Sequence, residues 1–283
     1  MGGELVQDFS KEDYEIYRVI TRRVFSDISS FHDIWNPAIE SMLGISPFDP
    51  NRSNYLGVYV KSLNSTFEQG LYALSCLEGY SKSEPSNITV FFVSHYFIDF
   101  MIRVKTGTDL IALIIRNIYD LNIEDKQCSL ENGALVSRLR YLDRSNDTVD
   151  RLSREIDRIR TKWLNGFDIL RDIAIHQAGF EYTIVGGFDF PVHLSLPLPT
   201  EFLRNQPISY NPMDPLETLE PFIKDEPLAK FLAQIKSKSI SNYLISINPV
   251  SFCNEVWQLW SNSSQSILEL CCKDLVAKLR TSN

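Results

Sequence analysis

Arg171-Asp172-Ile173-Ala174-Ile175-His176 is the stretch of this chain whose residue types most directly suggest chemistry. An arginine and a histidine stand five positions apart, with a small acid directly after the arginine. A guanidinium can hold a phosphate and stabilise the charge that builds on it. An imidazole titrates near neutrality and can move the proton of a ribose 2′-hydroxyl. Together they are a minimal kit for cleaving RNA.

Spacing alone says little. With 16 arginines and four histidines in 283 residues, chance supplies roughly 0.7 such pairs per chain. The context carries more weight. Leu152, Ile156, Ile159, Trp163, Phe167, Leu170 and Ala174 recur at helical intervals, which predicts one long amphipathic helix over 148–178. Asn146-Asp147-Thr148 offers N-caps, and Gly179 is placed to end it. On a regular helix Arg171 lies about 75° to one side of that stripe and His176 about 145° to the other. Asp168 and Asp172 fall between them, and Asn165 lies near His176. This reading turns the Arg–His face away from the bundle, open for a second copy to close. Two copies across a two-fold axis would set two arginines and two histidines around one groove, with Asp168 and Asp172 finding partners across the interface.

The other elements must position this helix. Tyr17, Ile20, Val24, Ile28, Phe31 and Trp35 form one apolar stripe, and Leu56, Val60, Leu63, Phe67, Leu71 and Leu74 a second. Residues 88–121 form a third, very apolar helical region. It is expected to bend near Lys105-Thr106-Gly107-Thr108, with Thr108 as the N-cap of its second half. Glu181–Val185 and Phe188–Leu196 partly alternate around Gly186-Gly187, which predicts a short hairpin. Six prolines between 191 and 215 mark an irregular connector. Helical patterning resumes at 217–237 and at 249–280, where Val256, Trp260, Ile267, Cys271 and Leu275 line a face. The fold class is therefore all-α with a short β-hairpin after the motif helix. Its parts are an N-terminal helical segment (1–45), a helical bundle (46–180), a hairpin and Pro-rich connector (181–216), and C-terminal helices packed on the bundle (217–283).

Composition narrows the function. Hydrophobic residues make up 44% and charged residues 23%, ordinary for a globular chain. No Gly-x-Gly-x-x-Gly or P-loop pattern is present, so no nucleotide cofactor is expected. The net charge of −8 disfavours a protein that coats nucleic acid along its whole surface. Arginine is nonetheless concentrated between Arg138 and Arg171. Interleaved acids leave residues 138–172 at only +2 and the remainder at −10. That stretch reads either as a solvated, salt-bridged helix face or as a limited phosphate-binding surface, with the former modestly favoured.

The five cysteines (76, 128, 253, 271 and 272) are odd in number and lack Cys-x-x-Cys spacing. They read as reduced thiols of a cytoplasmic protein without a signal peptide. His32, His95, His176 and His193 are dispersed, without zinc-ligand spacing, so no metal is expected. The apolar run near 90–102 is broken by Ser94, His95 and Asp99, so no membrane span is expected. The tryptophans sit mostly on apolar stripes and read as core.

A helical bundle whose core helix carries Arg171-Asp172 and then His176 resembles the HEPN family, defined by an Arg-x(4–6)-His motif. Trp163 and Leu170 suit the anchoring of such a helix, and the resemblance covers roughly residues 50–180. It implies a metal-independent endoribonuclease, of the toxin or phage-defence type, with a composite site in a homodimer. RNA would be the substrate, and an antitoxin or defence-system protein a partner. His176 would act on the 2′-hydroxyl and Arg171 on the phosphate, leaving a 2′,3′-cyclic phosphate and a 5′-hydroxyl. Asn165 and Asp172 would support them. Asp172 stands one turn before His176 and could fix its tautomer, or equally could pair with Arg171 or a nearby lysine. The alternative function is a noncatalytic HEPN-like binding or sensor module in a multiprotein complex, favoured by the acidity and by the C-terminal region that the resemblance does not cover.

Overall fold

The second apolar stripe of the sequence is the first element of the described structure. A computed structural model describes residues 50–83, 86–142, 147–177, 181–184, 192–204 and 228–282. The stripe from Tyr17 to Trp35, the turn at Gly186-Gly187 and the helix end at Gly179 lie outside these residues.

Helix α1 (Pro50–Ser81) buries all six of its predicted stripe residues, none more than 3% exposed. A short connection leads to α2 (Asn87–Tyr119), which packs along α1. Ser86 caps α2 by accepting a hydrogen bond from the Thr89 amide at 3.1 Å, which satisfies one of the orphan donors of the first turn. Asp120 ends it in the left-handed conformation, φ 52°.

No second helix starts near residue 107, and α2 runs unbroken from Asn87 to Tyr119. Thr108 is no N-cap; its hydroxyl donates back to the Lys105 carbonyl at 2.8 Å. Gly107 has a packing role instead. A Cβ there would lie 2.1 Å from the Trp260 ring. The missing side chain admits an indole that stacks on Phe67 at 4.0 Å.

Beyond a 3-10 turn at Asp125–Gln127 comes the short α3 (Gly133–Leu142). The motif helix follows as one helical run over 147–177. It consists of α4 (Asp147–Ile159), a π turn (Arg160–Leu164), α5 (Asn165–Asp172) and a second π turn (Ile173–Gln177). Its apolar stripe is buried from Leu152 to Ala174. Each π turn takes in one more residue than an α turn, so the angular step per residue falls. His176 therefore sits closer to the Arg171 side than a regular helix would place it.

The hairpin after the motif helix is present as β1 (Glu181–Ile184) paired antiparallel with β2 (Val192–Pro199). After α6 (Thr200–Arg204) and α7 (Leu228–Gln234) comes β3 (Ile240–Ile247), which pairs with the other edge of β2. The sheet order is β1-β2-β3. β3 differs from the expectation of helices alone after 217. Pro197 and Pro199 are tolerated in β2 beside a register shift between them, as proline requires when a ladder donor is missing.

Helix α8 (Pro249–Ser282) closes the bundle against α1, α2 and α4. Val256, Trp260, Ile267, Cys271 and Leu275 are buried as expected. All five cysteines are free. Among the described residues no helix is long and apolar enough to cross a membrane.

Candidate functional site

The motif helix is fixed to α8 and α7 upstream of the motif. The Trp163 indole donates to Ser263 Oγ on α8 at 3.2 Å, with its ring 1% exposed. Phe167 packs edge-on against Trp163 at 5.9 Å. Gly166 lets α7 lie directly on the helix, since a Cβ would stand 1.9 Å from the Leu232 carbonyl oxygen.

Arg171 and His176 are held very differently. The Arg171 side chain is only 16% exposed. Its Nη2 donates to Asp168 Oδ1 at 2.7 Å and to Asp172 Oδ1. Asp172 receives a second cation on its other oxygen from Lys238, in the segment between α7 and β3. Nearby, Lys105 of α2 bridges Asp109 at 2.6 Å and Glu131 at 3.0 Å, and Glu131 also accepts from Ser129. His176 is exposed and has no side-chain partner among the described residues. Asn165 is half-buried on the first turn of α5.

This geometry corrects the helical-wheel expectation. The Asp168–Arg171–Asp172 face is covered by its own chain, with neither acid more than 19% exposed. The two acids have partners within the chain, Arg171 and Lys238. Lys238 is 66 positions away in sequence, which no periodicity argument reaches. Lys105 and Asp109 did leave a signal, as one of two charged i,i+4 pairs, with Asp99–Arg103, in a mostly apolar helix. Of the two sequence readings of Asp172, the structure displays the salt bridge.

The cluster is electrostatically unbalanced. Asp109, Glu131, Asp168 and Asp172 supply four carboxylates against three cations, Lys105, Arg171 and Lys238. The imbalance shows in the carboxyls. Burial raises Asp168 above the usual carboxylate range; Glu131 and Asp172 add to that, and Arg171 and Lys105 offset it only in part. Burial also raises Asp109 against the pull of Lys105. For Asp172 burial acts the same way, but the Lys238 hydrogen bond and the Arg171 charge overcome it and hold the carboxyl below its usual range. Lys105 is raised: burial lowers it, but Glu131 and Asp109 outweigh that. The Glu131 Oε1 and Arg171 Nε atoms are buried without a hydrogen-bond partner among the described residues.

Among the described residues no group of three His, Cys, Asp or Glu is arranged to hold a metal. Comparison of the chain with protein-family models, curated proteins and solved structures finds no match. Fold and site together define a helical protein with a small antiparallel sheet and a part-buried ion network on its motif helix.

Proposed function

We propose that the chain is a noncatalytic helical binding module on a HEPN-like bundle, in which Arg171 acts as a structural clamp. The observation that carries this reading is the engagement of Arg171 by two carboxylates of its own helix. A phosphate would have to displace Asp168 and Asp172 and enter a cluster already one negative charge in excess. Coulomb repulsion in a partly dehydrated site is poorly screened, so that exchange is unfavourable. The decisive experiment incubates the full chain with single-stranded and structured RNA in EDTA. The clamp reading expects no cleavage by the wild type and a loss of thermal stability in Arg171→Ala. Cleavage that disappears in both Arg171→Ala and His176→Ala, with melting unchanged, overturns it.

The metal-independent endoribonuclease is the second reading. It is favoured by His176, which stands exposed in a π turn five residues after Arg171; π turns recur at functional sites. In this reading Arg171 leaves Asp168 when RNA binds and pairs with the phosphate, while His176 takes the 2′-hydroxyl proton. The homodimer, the antitoxin or defence partner and the supporting role of Asn165 belong to this reading. Sedimentation at micromolar concentration tests the dimer; a monomer that still cleaves RNA would remove the composite site from the proposal.

A further inference from the structure

A second group of arginines lies on the same helical run but in the opposite electrostatic setting. Arg151, Arg154 and Arg158 recur at three and four residues along α4, which places them on one face. They line a groove of about 470 Å³ whose far wall is α8, where Lys273 faces them. The side chains of these four cations are 59%, 64%, 54% and 67% exposed. The groove contains two carboxylates, Glu155 and Glu269. Glu155 is neutralised at the floor: Arg158 grips both of its oxygens, at 2.6 and 2.7 Å, and Ser266 donates to it at 2.9 Å. The lining holds four cations against two carboxylates, and Asp147 and Asp150, which pair with Arg151 and Arg154, stand outside it.

We propose that the groove between α4 and α8 binds the sugar-phosphate backbone of a single-stranded nucleic acid. Three features select this ligand. Arg151 to Arg158 spans about 10 Å of helix axis at 1.5 Å per residue, so the charges form a row that suits successive phosphates along a strand. Two of the competing pairs are loose: Asp147 stands 3.9 Å from Arg151 and Glu269 3.8 Å from Lys273. Asp150 is closer to Arg154, at 2.8 Å, but that pair is exposed. Exposed intrahelical pairs contribute little and yield to a better-placed anion. No aromatic residue among the described residues lines the groove, so contacts go to the backbone and carry little sequence preference.

The groove is separate from the motif. Arg154 precedes Arg171 by 17 residues, about 25 Å along the helix. Binding there does not depend on whether Arg171 and His176 cleave anything.

The test is fluorescence anisotropy of the full chain with a labelled 2′-O-methyl oligouridine, which lacks the nucleophile for cleavage by the motif. Each phosphate neutralised on a single strand contributes about −0.7 to the slope of log K against log salt. With Arg158 engaged by Glu155, the remaining three cations set a ceiling near −2, a weakening of roughly 20-fold between 50 and 200 mM salt. Arg151→Glu combined with Arg154→Glu and Lys273→Glu should abolish binding with the melting profile retained. Arg154→Gln alone should flatten the slope by about 0.7. Competitor oligodeoxynucleotide that displaces the probe supports a backbone site shared by RNA and DNA. Failure of DNA to compete narrows the ligand to RNA. Wild-type binding in the triple variant, an unchanged slope in Arg154→Gln, equal competition by inorganic phosphate or polyglutamate, or no binding at 50 mM salt overturns the proposal.

Discussion

Replacing Arg171 by alanine separates a clamp from a catalytic arginine. The side chain is 16% exposed and its two acids 19% and 17%, so all three charges are mostly withdrawn from water. Deleting the guanidinium takes the cluster from one negative charge in excess to two. Removing one partner of a buried ion pair costs about 3–5 kcal/mol, chiefly because the other charge stays buried and uncompensated. Lys238 still holds Asp172 here, so the expected loss is smaller, about 2–3 kcal/mol. For a chain of this size that corresponds to a fall in Tm of roughly 4–10 °C. Urea unfolding followed by circular dichroism gives the free energy, and a cycle with Asp168→Ala isolates the pair, with a coupling of about 1–3 kcal/mol expected. A Tm change within about 1 °C would mean that the guanidinium contributes nothing net to the fold. The clamp argument would then fail, and the nuclease reading would gain a disposable, available arginine.

The two acids beside Arg171 should respond to pH in opposite directions. Asp168 is raised in the folded protein, so its contribution is fullest below the ordinary carboxylate range and is lost as pH rises through its folded value. Asp172 is depressed, so its contribution is present above that range and lost as pH falls through its folded value. Unfolding of Asp168→Asn between pH 7 and pH 4 should show the wild type gaining on the variant as pH falls, and unfolding of Asp172→Asn from about pH 5 to about pH 2 should show it losing; parallel curves in these windows would refute the assignment. Gly166→Ala should cost about 3 kcal/mol or more, because its Cβ would meet a backbone carbonyl of α7 that cannot rotate away; a melting curve like the wild type's would mean that α7 does not pack there. Gly107→Ala should displace the Trp260 ring from Phe67 and shift the tryptophan emission; an unchanged spectrum and Tm would count against this packing.

Much of the helical architecture was legible because it is written in a repeating signal. Leu56 to Leu74 and Leu152 to Ala174 recur at three and four residues, and burial of those stripes is what stabilises the helices. Three features were not legible, each for a physical reason. The glycine at 107 looked like punctuation, yet it is the space that Trp260 needs, 153 positions later in the chain. The strand Ile240–Ile247 carries four isoleucine or leucine residues in eight, but its partner β2 contains prolines that argue against a sheet. The π turns fall inside an apolar stripe that keeps ordinary helical spacing, so that pattern does not announce them, and they change which face His176 occupies.

The two sets of arginines on the motif helix show where residue type stops being informative. Arg151, Arg154 and Arg158 share their spacing logic and flanking acids with Arg171: each has an Asp or Glu three or four residues before it. A helical net would treat all four alike. What separates them is the surface that the rest of the chain brings over. Around Arg171 lie Asp168 and Asp172, then Lys238 and the Lys105–Glu131 pair, so the local pairing is part-buried. Around Arg151 and Arg154 lies an open groove wall with a lysine opposite, and their pairs remain in water. Breaking a part-buried pair leaves a stranded charge, whereas an exposed pair breaks at little cost. An incoming phosphate therefore meets a high barrier at Arg171 and a low one at Arg154. On this chain the arginine of the recognisable motif is the less available one, and the arginines without a motif are those best placed to hold an anion.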